Sequence, residues 1–112
     1  MDESQLLKGI LEGCVLKIIC NKETYGYQIM IELAEAGFSN IIEGTLYPIL
    51  TRLEKKEYVK CRKAKSPLGP TRKYYSITKL GNQHLEEYLV MYQELIEKAN
   101  SLLFNSVHRV QI

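Results

Sequence analysis

At 112 residues, with 46% hydrophobic and 25% charged side chains, the chain has the size and make-up of one ordinary globular domain. Its most apolar stretch, Leu6–Cys20, carries Lys8, Glu12 and Lys17 and is too short to span a bilayer, so neither a membrane partner nor a secretory leader is expected. The net charge is only +2, and three irregularly spaced cysteines (Cys14, Cys20 and Cys61) argue against a disulfide framework and for a reducing cytoplasm.

Residues 4–20 predict a first helix, with Leu7, Ile10, Leu11, Cys14, Val15, Ile18 and Ile19 on one broad stripe. Gly9 and Gly13 sit four apart beside that stripe. Each costs a helix about 1 kcal/mol relative to alanine, which leaves two readings: a close helix contact or tolerated surface glycine. A turn at 21–24 follows, and Thr24 is placed to cap a second helix over about 24–36. That helix turns Ile29, Met30 and Leu33 inward and stops at Gly37. A third helix is expected over about 43–56, its buried face made by Leu46, Ile49, Leu50 and Leu53. Pro48 has no N–H to donate and therefore predicts a place in the first turn. The outer face then presents Thr45, Tyr47, Thr51, Arg52 and Lys55, none of which the core requires.

Two strands, 58–65 and 72–77, flank a turn rich in proline and glycine at 66–71. Val59 and Cys61 alternate with Lys60 and Arg62, and Tyr75 and Ile77 alternate with Tyr74 and Ser76, so each strand has one core face and one outward face. Here the bland net charge separates into blocks. Residues 1–54 hold four basic and eight acidic side chains, whereas residues 55–79 hold nine basic and one acidic, a local +8. Such a patch between acidic elements directs polyanion binding to one surface. A last helix capped by Thr78 is expected to run to about Phe104. Leu85, Tyr92 and Ala99 repeat every seven residues, as do Tyr88, Leu95 and Leu102, with Leu89, Ile96 and Leu103 beside them. That period favours a partner helix, so a homodimer is expected, with Leu7 and Ile10 joining the seam.

The order helix–helix–helix–strand–strand–helix predicts a mainly α protein with a two-stranded β-wing, a winged helix-turn-helix with a long C-terminal dimerisation helix. The expected division is a DNA-binding part over 1–77 and a dimerisation helix over 78–112, within one compact domain.

Three motifs in order carry a family resemblance: Tyr25-Gly26-Tyr27-Gln28-Ile29, the run Glu43–Glu54, and the run Gly69–Thr78. Over about residues 6–104 the chain resembles the PadR family of transcriptional regulators, in the shorter subfamily with a single C-terminal helix. The resemblance implies a cytoplasmic homodimeric repressor on a pseudo-palindromic double-stranded DNA operator, released by a small aromatic or amphipathic effector. It puts Thr45, Tyr47, Thr51 and Arg52 at the major groove, Tyr25 and Tyr27 near phosphates, and Lys63, Lys65, Arg72 and Lys73 on the wing contacts. Lys55 and Ser66 complete the expected DNA-binding set. It also implies an effector cavity at Tyr92, with Leu6, Gly9, Ile10, Gly13, Tyr88 and Leu89 as neighbours. The chain has no tryptophan, so no pocket of stacked indoles is expected.

Arg52 is the foremost candidate for a base contact, because guanidinium pairs bidentately with guanine; pairing with Glu54 or a phosphate is the competing reading. Tyr47 lies one residue off the buried stripe and reads as either a structural tyrosine or a phosphate ligand. Tyr74 and Tyr75 read as sheet packing, with contact to the DNA backbone as the competing reading for Tyr74. Cys14, Cys20, His84 and His108 lack the short spacing of a metal site, and no cofactor motif, carboxylate pair or nucleophile with base appears, so no enzyme is expected. Two further readings remain open at this point: a winged-helix protein-interaction module, and a repressor responsive to thiol oxidation or metal.

Overall fold

The computed structural model describes residues 3–105. His108 and the last residues of the expected 78–112 segment lie outside them. Helices α1 (Glu3–Leu7) and α2 (Ile10–Asn21) lead through a two-residue strand β1 (Thr24–Tyr25) to α3 (Gly26–Glu35) and α4 (Glu43–Lys55). The hairpin β2 (Val59–Lys65) and β3 (Thr71–Ile77) follows, and then α5 (Lys79–Leu103).

The predicted single first helix is two helices. Gly9 has φ 82°, a left-handed value no α-helix contains, and the chain turns there. Gly13 behaves differently: a Cβ on it would run into the Tyr88 ring, with the Tyr88 hydroxyl 2.6 Å away. One glycine therefore makes a turn and the other a close contact with α5. The buried side of α2 is Leu11, Val15, Leu16 and Ile19, while Leu7, Ile10, Cys14 and Ile18 of the expected stripe are only half-buried.

Thr24 does not cap α3. It pairs across from Tyr75, as Tyr25 pairs across from Tyr74, so the predicted two-stranded wing gains a third strand, in the antiparallel order β1-β3-β2. The pairing draws Thr24 into the core at 2% exposure, and α3 starts from Tyr25 with no side-chain cap. At its other end, Gly37 (φ 108°) donates to the Ala34 carbonyl and Phe38 to the Leu33 carbonyl, the double bond that closes a helix through a left-handed glycine.

In α4 the four expected core leucines and isoleucine, Leu46, Ile49, Leu50 and Leu53, are all buried. Pro48, however, is the sixth helical residue and not in the first turn. The helix starts at Glu43 as expected, where the Ile42 carbonyl takes both the Thr45 and Leu46 amides, each at 3.0 Å, and that start leaves Pro48 in the second turn. Pro48 then forgoes the bond to Gly44. The C-terminus of α4 repeats the left-handed closure without glycine: Glu57 has φ 62° and donates to Glu54 at 2.9 Å, and Tyr58 donates to Leu53 at 3.0 Å. Glu57→Gly is therefore expected to raise stability by about 0.5–1 kcal/mol in chemical denaturation, where an ordinary loop glycine would lower it.

The β2–β3 register runs from Val59 opposite Ile77 to Lys65 opposite Thr71. Val59 and Tyr75 close the core under the sheet. Thr78 caps α5 by accepting the Gly81 amide at 2.9 Å, as expected. Leu85, expected at the dimer seam, is instead a core residue of its own chain at 4% exposure, because the first turns of α5 lie against the body. One turn on, Tyr88 still packs on Gly13 of α2, and past Tyr92 the helix runs out into solvent.

Candidate nucleic-acid interface

The expected outer face of α4 is open: Thr45, Tyr47, Thr51, Arg52 and Lys55 are all exposed. The wing adjoins it, since Lys73 Nζ of β3 lies 3.9 Å from Glu54 of α4. The polar helix face and the basic hairpin therefore form one continuous surface.

Individual side chains on that surface are less free than their sequence suggests. Arg52 donates from Nε (3.1 Å) and Nη2 (2.9 Å) to Glu12 Oε1 of α2, and so pairs with neither Glu54 nor solvent alone. The Thr51 hydroxyl donates to the Tyr47 carbonyl one turn back. Tyr47 is 43% exposed, and its hydroxyl sits 2.5 Å from where a Cβ on Gly26 would lie. It thus combines the structural reading with an open edge.

On the wing, Arg62 forms a two-pronged pair with Glu23, both bonds 2.8 Å, and lies 4.9 Å over the Tyr74 ring. Tyr74 meets Tyr25 edge-on at 5.6 Å, and Arg72 covers Tyr25 at 4.0 Å. This Glu23–Arg62–Tyr74–Tyr25–Arg72 ladder ties the hairpin to the segment before α3. Tyr25 is consequently half-buried inside the ladder, whereas Tyr27 is 68% exposed. The hydrogen bonds from Arg62 hold the Glu23 carboxyl below the usual carboxylate range. Lys63, Lys65 and Lys73 remain exposed. Ser66 does not: it is buried under the turn, whose backbone folds over it through bonds to Pro70 and Gly69, and this removes it from the contact set. Arg62, Glu12 and Glu23 were not among the expected site residues. Alternation along β2 already places Arg62 on the outward face, but its acidic partner is 39 residues away.

Tyr75 is a core group, and burial pushes its hydroxyl up to about 12. Burial likewise raises the Cys14 and Cys61 thiols, which disfavours the reactive thiolate. His84 stacks on Tyr58 at 4.1 Å, and no group of three His, Cys, Asp or Glu among the described residues is arranged to hold a metal.

Two grooves involve the expected residues. One of about 370 Å³ lies between α2, α3 and α5 and is lined by Ile10, Gly13, Tyr88, Leu89 and Tyr92, all expected at an effector cavity. Leu6 (66% exposed) and Gly9 are not part of it, because the break at Gly9 takes α1 away. The second, about 740 Å³, runs between the start of α2 and α4 past Gly9, Glu12, Thr45, Pro48 and Arg52. No helix among the described residues is long and apolar enough to cross a membrane.

Helices α2, α3 and α4, the last leading into a β-hairpin that is followed by a long helix, define a winged helix-turn-helix. Residues 15–87 match the transcriptional regulator PadR-like family, and the chain belongs to that family. Its members are transcriptional regulators and not enzymes. A Streptococcus transcriptional regulator is 44% identical, with a TM-score of 0.79 over 89% of this chain and 98% of its own. A PadR-like transcriptional regulator from Bacillus cereus is 42% identical, with a TM-score of 0.78 over 88% of this chain and 96% of its own. Bacillus subtilis PadR, solved in complex with operator DNA, shares the fold at 24% identity, with a TM-score of 0.66 over 72% of this chain and 46% of its own.

Proposed function

We propose that this chain is a cytoplasmic homodimeric repressor that reads double-stranded operator DNA with α4 and grips the flanking phosphates with its wing. The observation that carries this reading is the continuity of the two surfaces: a polar helix face not needed by the core, joined through Lys73 and Glu54 to a hairpin that carries six basic side chains and no acidic one. The operator-bound state of the Bacillus subtilis relative supports it. In this reading Thr45, Tyr47, Thr51, Arg52 and Lys55 face the groove, Tyr27 stands near a phosphate, and Lys63, Lys65, Arg72 and Lys73 neutralise the backbone.

Residues 1–77 then form the reading unit and α5 the dimerising arm. Only Gly81 and Leu85 of α5 are buried, while Leu89, Tyr92, Leu95, Leu102 and Leu103 stand open along a helix about 37 Å long at 1.5 Å per residue. A seam of that size in water calls for a partner, and a second copy of α5 presents the matching period. The groove at Tyr88 and Tyr92 opens beside this seam, so an aromatic or amphipathic effector entering there would change the spacing of the two reading helices. Release requires the effector to favour the non-DNA form by the coupling energy, about 1–3 kcal/mol.

The wing contribution is tested by titrating a fluorescent duplex at several salt concentrations. Replacing both Lys63 and Lys65 by alanine is expected to lower the slope of log affinity against log salt by roughly 2, and to weaken operator and random DNA alike. An unchanged slope would remove these lysines from the phosphate contacts.

A further inference from the structure

We propose that Glu12 is a positioning residue for base reading: it grips one edge of the Arg52 guanidinium and leaves the other edge aimed outward for a guanine. The inference rests on the reading of α4 as the groove-entering helix and adds a residue from outside α4 to it.

The geometry of the pair is specific. Arg52 Nε and Nη2 both converge on the single oxygen Oε1 of Glu12, at 3.1 and 2.9 Å. A guanidinium has five N–H donors in a fixed plane, so this grip uses the side edge and leaves both Nη1 hydrogens and the second Nη2 hydrogen. Those remaining donors form the end-on fork that matches guanine O6 and N7. The burial of the pair points the same way. The Glu12 side chain is 26% exposed and that of Arg52 is 53% exposed, so the acid is the sheltered support and the base the open member. The Arg62–Glu23 pair on the wing is a useful contrast. There two carboxylate oxygens take the same two nitrogens while Tyr74 covers the guanidinium face, which fits a structural tie.

Glu12 itself stands on a fixed turn. The Tyr88 ring packs on Gly13, and the Tyr88 hydroxyl donates to the Gly9 carbonyl at 2.8 Å, so α5 holds the main chain on both sides of Glu12. Thr45 lies seven residues before Arg52, two helical turns back, and lines the same groove. A support on rigid elements is what a long side chain needs to read a base rather than sample solvent. A nearby carboxylate would otherwise only repel phosphates, and the two roles predict opposite results.

The test selects duplexes from a randomised library with wild-type protein and with Glu12→Ala, Glu12→Gln and Arg52→Ala. Alanine is the best helix former and glutamine keeps the acceptor oxygen without its charge, so both variants preserve α2. Wild type is expected to enrich a guanine in each half-site that Arg52→Ala loses. Glu12→Ala should lose that guanine preference by about tenfold, the scale of one bidentate contact. Glu12→Gln should retain most of it, and Glu12→Ala should add nothing in the Arg52→Ala background. Tighter binding to every sequence by both Glu12 variants, with the guanine preference intact, would overturn the proposal and make Glu12 a simple repulsive charge. An unaltered preference in Glu12→Ala at unaltered affinity would also overturn it. Failure of wild type to enrich any sequence would instead sink the underlying reading of α4, and is distinguishable because it involves no variant.

Discussion

Gly81→Ala is expected to destabilise the fold by about 2–4 kcal/mol, although glycine to alanine within a helix ordinarily gains about 1 kcal/mol. A Cβ at this position would collide with the Tyr58 carbonyl oxygen and lie 2.8 Å from Ile77 Cγ1 and 2.9 Å from the Tyr58 carbonyl carbon. These are not side-chain tips that can swing away. The Tyr58 carbonyl accepts the Thr78 amide at 3.0 Å and the Thr78 hydroxyl donates to the Glu57 carbonyl at 2.6 Å, while Thr78 caps the Gly81 amide. The β2 entry, the end of β3 and the start of α5 therefore share one knot of backbone. Moving α5 outward to admit a methyl group would break the cap and open the core at Leu85. Gly69→Ala is the control, since nothing lies within 4 Å of its Cβ position, and it should change stability by less than about 0.5 kcal/mol. Thermal melts followed by circular dichroism would check both; equal midpoints for the two variants would show that the knot yields.

Leu95→Glu is expected to dismantle the proposed dimer while leaving the core packing of each chain intact. Leu95 is 60% exposed and far along α5 from the last core residue, Leu85, so its own chain loses little. In a two-fold seam the substitution counts twice. Two buried leucines are worth at least about 3 kcal/mol together, which is more than a hundredfold in the dimer Kd before any cost of burying the carboxylates. Sedimentation at micromolar concentration should give the monomer mass for the variant and twice that for the wild type. The same mass for both proteins would mean that α5 does not carry the association.

These two positions illustrate what the sequence could and could not disclose. The inward face of α4 was legible because Leu46, Ile49, Leu50 and Leu53 follow a local period, and the cap at Thr78 because an N-cap bond spans only three residues. The wing was legible through its alternation and the Pro and Gly turn at 66–71. Features decided by distant partners were hidden. Thr24 has the chemistry of a helix cap, yet pairing with Tyr75, 51 positions along, recruits it into the sheet. The sequence offers Arg52 a base, a phosphate or its neighbour Glu54 as partner, yet Glu12, 40 residues earlier, holds it. Glycine at residue 9 is compatible with a helix or with a turn, and the Tyr88 hydroxyl that holds the Gly9 carbonyl at the turn comes from 79 residues away. Leu85 and Leu95 belong to the same apolar repeat, but the body of the protein covers one and leaves the other open. Periodicity identifies a seam without marking where the core stops and an interface begins.

In the proposed dimer two copies of α4 read a two-fold symmetric site while the wings hold its flanks. The most direct measurement is the sequence enriched by wild-type protein from a randomised duplex library, read by deep sequencing. A two-fold reader should enrich an inverted repeat whose half-site centres lie roughly 10 base pairs, or a multiple of that, apart. A library that emerges without enrichment, or with a single unrepeated site, would contradict it.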